Sequence, residues 1–159
     1  MGGSGESLDA AVRVSNVYWL PLTDVAYAWV AERVLQHVQR ANREWRFALP
    51  PTGAIANAQV AEYAAVAAES AGQGGHYHWH VDADDGAMAR PTGRVLSVTV
   101  QLTPPADYDG GALQLAWRNA TAAQGSLTVF PAWLPHRVHP VTSGVRRSIV
   151  VWIKVGSSG

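Results

Sequence analysis

From residue 94 to residue 155 the chain is a succession of short β-branched runs, each closed by a breaker, and this constrains the fold more than any other feature. Residues 95–102 alternate with period two, Val98 and Val100 on one face and Thr99 and Gln101 on the other. Pro104-Pro105 ends that run, and Asp107-Tyr108-Asp109-Gly110-Gly111 has turn chemistry. Strands are predicted over 112–117, 126–130 and 133–138, with a polar loop over 118–125 and a break at Pro131. Residues 146–155 form the last and most apolar strand. Short strands at roughly ten-residue spacing close on one another as a mainly β jelly roll or barrel.

The N-terminal part differs in period. Residues 12–20 read as a strand ended by Pro21, and Thr23 or Asp24 can cap a helix. Tyr27, Val30, Ala31, Val34, Leu35 and Val38 then recur at helical spacing, with Glu32, Arg33, Gln36, His37, Gln39 and Arg40 facing solvent. This helix braces the domain by packing on a sheet. Residues 45–49 are predicted to be a strand stopped by Pro50-Pro51. The Ala-rich stretch 52–70 is open between helix and strand over its second half, and 71–75 is a flexible turn. Neither a repeat nor a domain boundary is visible, so a single domain over 1–159 is expected, with linker-like residues at 1–5 and 156–159.

Composition narrows the function classes. The twelve basic and twelve acidic residues balance, which argues against nucleic acid or a membrane surface as partner. No cysteine is present, so disulfides, thiolate metal sites and Cys nucleophiles are excluded. A run of the ~18 apolar residues that a membrane helix needs is missing, as is a signal-peptide pattern, and a cytoplasmic location is expected. Eleven of the twelve basic residues are Arg, which makes each Arg near a site a candidate for carboxylate recognition.

The chemistry concentrates in Gly75-His76-Tyr77-His78-Trp79-His80-Val81-Asp82. On a strand His80 and Asp82 share a face and can give a divalent metal two ligands. Two His and one carboxylate on one face of an ion form the facial triad of non-haem Fe(II) oxygenases. The third ligand has two candidates, His136 and His139, and spacing does not choose between them. Ten residues past His136, Arg146 and Ser148 share a strand face, a guanidinium and a hydroxyl suited to a carboxylate. Arg147 points the opposite way, beside Ile149 and Val151.

With these residues the chain resembles the Fe(II)/2-oxoglutarate-dependent dioxygenases, in the prolyl 4-hydroxylase-like branch. The resemblance covers roughly 75–155 in order. It rests on Tyr77-His78-Trp79-His80-Val81-Asp82, Arg94-Val95-Leu96-Ser97-Val98-Thr99, Pro105-Ala106-Asp107-Tyr108-Asp109-Gly110-Gly111, and Phe130-Pro131 through His136-Arg137-Val138 to Pro140-Val141-Thr142-Ser143-Gly144-Val145-Arg146-Arg147-Ser148. It implies a double-stranded β-helix, with iron held by His80, Asp82 and His136. It also implies Arg146 on the far carboxylate of 2-oxoglutarate, Tyr77 hydrogen-bonded to that carboxylate, and Ser148 assisting. Strand alternation alone would place Tyr77 opposite His80, in the core. Ala112 departs from the family pattern, where Glu often follows Gly-Gly, and a turn is expected to absorb the change. Retention of Asp82 favours hydroxylation over halogenation, which needs that ligand position vacant.

The expected function is hydroxylation of an amino acid, a peptidyl residue or another small molecule, with Fe(II), 2-oxoglutarate and O2 consumed to succinate and CO2. A metal-dependent cupin-like enzyme without 2-oxoglutarate, or a non-catalytic β-barrel binding module, are the alternatives. Either would leave Arg146 or the His/Asp/His set without a role. The short chain favours a compact substrate or short peptide. Arg94, Trp117 and Arg118 are candidates for substrate contact, and Trp79, Trp133 and Trp152 for core or pocket wall. His76 and His78 are read as flanking residues, with His78 on the face of His80, and Asp84 and Asp85 as a solvated loop.

Overall fold

The computed structural model describes residues 12–49, 55–67, 72–84 and 91–155. The linker-like ends, the Pro50-Pro51 break and Asp85 lie outside the described residues. In chain order the elements are β1 (Arg13–Val14), β2 (Asn16–Pro21), α1 (Ala28–Trp45), β3 (Asn57–Ala64), β4 (His76–His80) and β5 (Arg94–Gln101). A 3-10 turn (Pro105–Asp107) then leads into β6 (Tyr108–Gly110), β7 (Leu113–Leu115), β8 (Arg118–Asn119), β9 (Leu127–Pro131), β10 (His136–Val138) and β11 (Val141–Lys154). Two antiparallel sheets result, β2-β3-β11-β5-β9 with β6 paired to the start of β11, and β1-β4-β10-β7-β8. The mainly β jelly roll with one bracing helix is therefore as the sequence implies.

The period-two pattern of β5 and β11 sorts side chains between two environments. Leu96, Val98, Val151 and Ile153 pack with Val30, Val34, Leu35 and Val38 of α1 in one buried cluster. Ser97, Thr99 and Gln101, with Arg146 and Ser148, take the alternate positions and are also buried. The larger sheet is thus a wall with an apolar core behind it and polar groups in front. A second cluster, Ala61, Tyr63, Leu113, Val138 and Val141, ties the front of that wall to the smaller sheet.

Several local expectations change. The helix runs on through Trp45, and the strand expected at 45–49 does not form. Arg46 closes the helix with φ 57°, its N–H donating to the Asn42 carbonyl. The Asn42 amide then clamps the Phe47 backbone through two bonds of 2.8 and 2.9 Å. These bonds hold 46–49 as a strap, with Phe47 and Leu49 packed on the helix cluster rather than in a ladder. The helix is not capped as expected. The Asp24 carboxylate accepts from the Ala26 N–H instead, a local turn ahead of the helix. The ambiguous Ala-rich stretch is a strand, β3, because it is the shared partner of β2 and β11. The last strand begins earlier than expected, at Val141, and runs on through Gly144. There φ is +69°, and a Cβ would lie 2.1 Å from the Asp107 carbonyl oxygen, so only glycine lets this segment pair with β6 and then continue to Arg146. The loop expected at 118–125 opens with the short β8, and the strand expected at 133–138 is confined to His136–Val138.

Candidate active site

His80 ends β4 and His136 begins β10, and the two are directly opposed in the antiparallel ladder. Asp82 follows two residues after His80, its N–H donating to the Ala132 carbonyl at 2.8 Å. The three side chains converge. His80 Nε2 lies 3.5 Å from Asp82 Oδ1, and His136 Nε2 lies 3.4 Å from Asp82 Oδ2. Their candidate ligand atoms all fall within 4.8 Å of one another. Metal–ligand bonds of ~2.1 Å put neighbouring ligands about 3 Å apart, so this cluster is of the size that holds a metal ion.

The surroundings orient the two imidazoles as such an ion needs. A backbone carbonyl can only accept, so His80 Nδ1 donates to the His78 carbonyl (2.8 Å) and His136 Nδ1 to the Leu134 carbonyl (2.9 Å). Each Nε2 is then the nitrogen turned toward the cluster with its lone pair available. Ser97 Oγ donates to Asp82 Oδ2 at 2.6 Å and orients the carboxylate. Burial pushes the Asp82 carboxyl up, but the neighbouring His136 and His80 imidazoles and the hydrogen bond from Ser97 outweigh it and hold it far below the ordinary carboxylate range.

The same cavity, of about 220 Å³, contains Arg146. Arg146 is 2% exposed. Its Nη2 donates to Gln101 Oε1, and Gln101 Nε2 donates in turn to the Tyr108 hydroxyl at 3.1 Å. Its Nε has no partner, and no carboxylate pairs with it among the described residues. Burial lowers its pKa, countered by Tyr63 and Tyr108. A buried cation with a spare donor and no counterion is costly unless an anion arrives. The donor set therefore fits a carboxylate ligand. Ser148 sits one alternate position along β11, buried and lining the same cavity.

Tyr77 lies against His80, not behind it. The two rings stack with centroids 3.5 Å apart and 17° between planes. The ladder explains this: His136 opposes His80 and Val138 opposes Tyr77, so three steps on β4 match two on β10. The bulge turns both His78 and Trp79 outward and returns His80 to the side of Tyr77. The expectation that His78 shares the face of His80 is corrected by the same bulge; His78 is exposed, its ring against His76. His139 is outside the cluster, its Nε2 2.7 Å from Gln114 Oε1.

Of the candidate substrate contacts, Arg94 lines the cavity and stacks on Trp152, which lines it too. Trp117 is 82% exposed and Arg118 is exposed, and neither lines the cavity. Trp79 carries the Arg137 guanidinium on its face, and Trp133 packs on Phe47. Asp84 is half-buried in a bridge to Pro91, not in a solvated loop. Ala112 donates no side chain to the cavity; its carbonyl accepts from the His139 N–H. Ser97, Gln101, Tyr108, Tyr63 and Arg13 were missed by sequence reasoning. The alternation of β5 places Ser97 and Gln101 on the polar face, and that was the available signal.

Two facing antiparallel sheets with a His/Asp/His cluster between them define a double-stranded β-helix able to hold a metal. The chain belongs to the 2OG-Fe(II) oxygenase superfamily, whose model matches residues 58–154. Among curated proteins it is similar to a PKHD-type hydroxylase of Colwellia psychrerythraea, 38% identical over 87 residues, covering 51% of this chain and 38% of that one. A PKHD-type hydroxylase of Hyphomonas neptunium is 38% identical over 90 residues, covering 52% and 39%. The matches thus span less than half the length of these relatives. Among solved structures, a Pseudomonas putida prolyl-4-hydroxylase superposes with a TM-score of 0.68 at 20% identity, covering 94% of this chain and 76% of that one. A Trichoplax adhaerens prolyl hydroxylase, solved with a hypoxia inducible factor peptide fragment, gives 0.65 at 18%, covering 97% and 69%. At these identities the structures bear on the fold alone.

Proposed function

We propose that the protein is an Fe(II)- and 2-oxoglutarate-dependent dioxygenase that hydroxylates an amino acid, a peptidyl residue or another small molecule. His80, Asp82 and His136 would hold the iron, and Arg146, with Tyr77 and Ser148, would hold 2-oxoglutarate. The observation that carries this reading is the pairing, in one cavity, of the three-residue cluster with a buried Arg146 that lacks a counterion among the described residues.

Bound there, Fe(II) and 2-oxoglutarate supply the oxidising chemistry, with O2 consumed and succinate and CO2 released. The chain's own residues set the geometry. The Leu134 and His78 carbonyls hold the two imidazoles in one tautomer, and Ser97 fixes the carboxylate. Arg146, steered by Gln101, offers the charge that a distal carboxylate needs and so sets which end of the co-substrate faces the cluster. Tyr77 closes one side of the cavity by stacking on His80. Apolar Phe130, in edge contact with His136, helps exclude water there.

The absence of cysteine suits a reducing compartment, and we place the protein in the cytoplasm on that ground. Among the described residues no helix is long and apolar enough to cross a membrane. The test of function is O2-dependent conversion of 2-oxoglutarate to succinate with Fe(II), counting turnover without substrate. Succinate release above background is expected in the wild type and none in Asp82→Ala. Absence of both turnover and 2-oxoglutarate binding in the wild type would end this reading, and retained hydroxylation in Asp82→Ala would show the ligand set to be wrong.

A further inference from the structure

The cavity carries more positive charge than the proposed cofactors use. Its lining includes three guanidinium groups, Arg13, Arg94 and Arg146, against one carboxylate, Asp82. Taking the functional reading above as the basis, a divalent iron and Arg146 together balance a dianionic 2-oxo acid and Asp82. Arg13 and Arg94 remain. Neither forms an ion pair with any described carboxylate. Arg13 donates from Nε to Ser15 Oγ (2.7 Å) and from Nη2 to Gln59 Oε1 (2.9 Å), both neutral, and its guanidinium lies 4.7 Å from the Tyr77 ring centre.

Arg94 is the better placed of the two. Its guanidinium carbon sits 3.9 Å over the Trp152 ring, and its Nε is buried without a partner. Stacking on an indole fixes the plane of the fork and leaves its edge free to donate. Trp152 in turn lies 6.3 Å from Trp19, and both tryptophans line the cavity. Burial lowers the Arg94 pKa, and among the described residues the carboxylate that acts on it is Asp82, which the cluster already occupies. A neutral substrate would leave two guanidinium groups partly desolvated and uncompensated, while a carboxylate would satisfy both charge and donors.

We propose that the substrate presents a carboxylate to Arg94 and Arg13, and that Trp152 and Trp19 flank the group that carries it. The chemistry is that of a free α-carboxylate, whether on a free amino acid or at a peptide C-terminus. A substrate with an amide at that position binds poorly, because each guanidinium then loses its charged acceptor.

The test is calorimetry on the protein loaded with Fe(II) and 2-oxoglutarate under an oxygen-free atmosphere. The probes are free L-amino acids against their α-amides, and short peptides with free against amidated C-termini. At least one acid should bind about ten-fold or more tightly than its amide, the size expected for a charge-assisted hydrogen bond. Arg94→Gln should bring that ratio close to one, and Arg94→Lys should restore part of it. Arg13→Gln should lower the ratio independently. Comparing the two probe series tells which source of carboxylate is used. Equal affinity for acid and amide, no binding of any acid, or an unchanged ratio in Arg94→Gln would overturn the inference. Titration of 2-oxoglutarate itself, done first, separates the two claims. If it binds and the acid preference is missing, only the substrate inference falls; if it does not bind, the functional reading falls as well.

Discussion

The two faces of β11 are built from one strand and do opposite things. Val151 and Ile153 point back into the cluster with α1 and are at most 1% exposed. Arg146 and Ser148 point forward into the cavity and are just as buried, at 2% each. Burial on the back face is repaid by apolar contact; burial on the front face leaves a cation without a counterion. Equal burial therefore means apolar packing on one side and, on the other, a cation open to an anionic ligand. Midway along, the strand also shows a third condition. Arg147, whose side chain is half exposed, pairs with Glu62 at 2.7 Å on the outer surface.

That contrast can be broken by substitution. Arg146→Met keeps volume and removes the charge; 2-oxoglutarate affinity should fall on the order of 10²- to 10³-fold, as when a buried charge pair loses one partner. Thermal unfolding of the ligand-free protein should show no loss of stability, because the unpaired cation costs free energy. A destabilised ligand-free Arg146→Met with normal 2-oxoglutarate binding would reverse the assignment of the front face. On the back face, Ile153→Ala should lower stability by about 2–5 kcal/mol through the cavity it leaves. Denaturant titration measures this, and 2-oxoglutarate affinity of the folded fraction should move little.

A smaller effect is expected at Ser97→Ala. This removes the 2.6 Å bond to Asp82 Oδ2 and should weaken metal affinity by roughly 10- to 100-fold, typical for the outer partners of a ligand. Metal titration with a competing chelator reads it directly, and unaltered affinity would show that Asp82 is oriented without Ser97. Smallest of all, Arg147→Ala breaks an exposed pair and should change stability by no more than about 0.5–1 kcal/mol. A larger change, or any change in 2-oxoglutarate affinity, would mean that the two neighbouring arginines are not separated as the strand alternation requires.

Much of this was legible before any coordinates. The alternation over 95–102 and 146–155 separated Arg146 and Ser148 from Arg147, and the helical spacing of Val30, Val34, Leu35 and Val38 marked the bracing face. Both patterns depend only on local geometry, which the chain carries in its order of residues. The bulge in β4 was not legible, because an extra residue in a strand is defined by its partner. Without it Tyr77 reads as core and His78 as a neighbour of the His/Asp/His cluster. The loss of a strand at 45–49 was hidden for a similar reason: apolar Phe47 and Leu49 suit either a ladder or a strap, and the Asn42 clamp decides.

The sequence by itself determined the set of groups: an HxD, two later histidines, and an Arg-x-Ser on an alternating strand. It could not determine convergence. His80 faces His136 because β4 and β10 pair, and Arg146 faces the same cavity because β11 lies in the opposite sheet. The charge surplus at Arg13 and Arg94 also exists only in the fold. Two arginines eighty-one residues apart mean nothing along a chain with zero net charge, and become a surplus of positive charge once both line one cavity with a single carboxylate among the described residues.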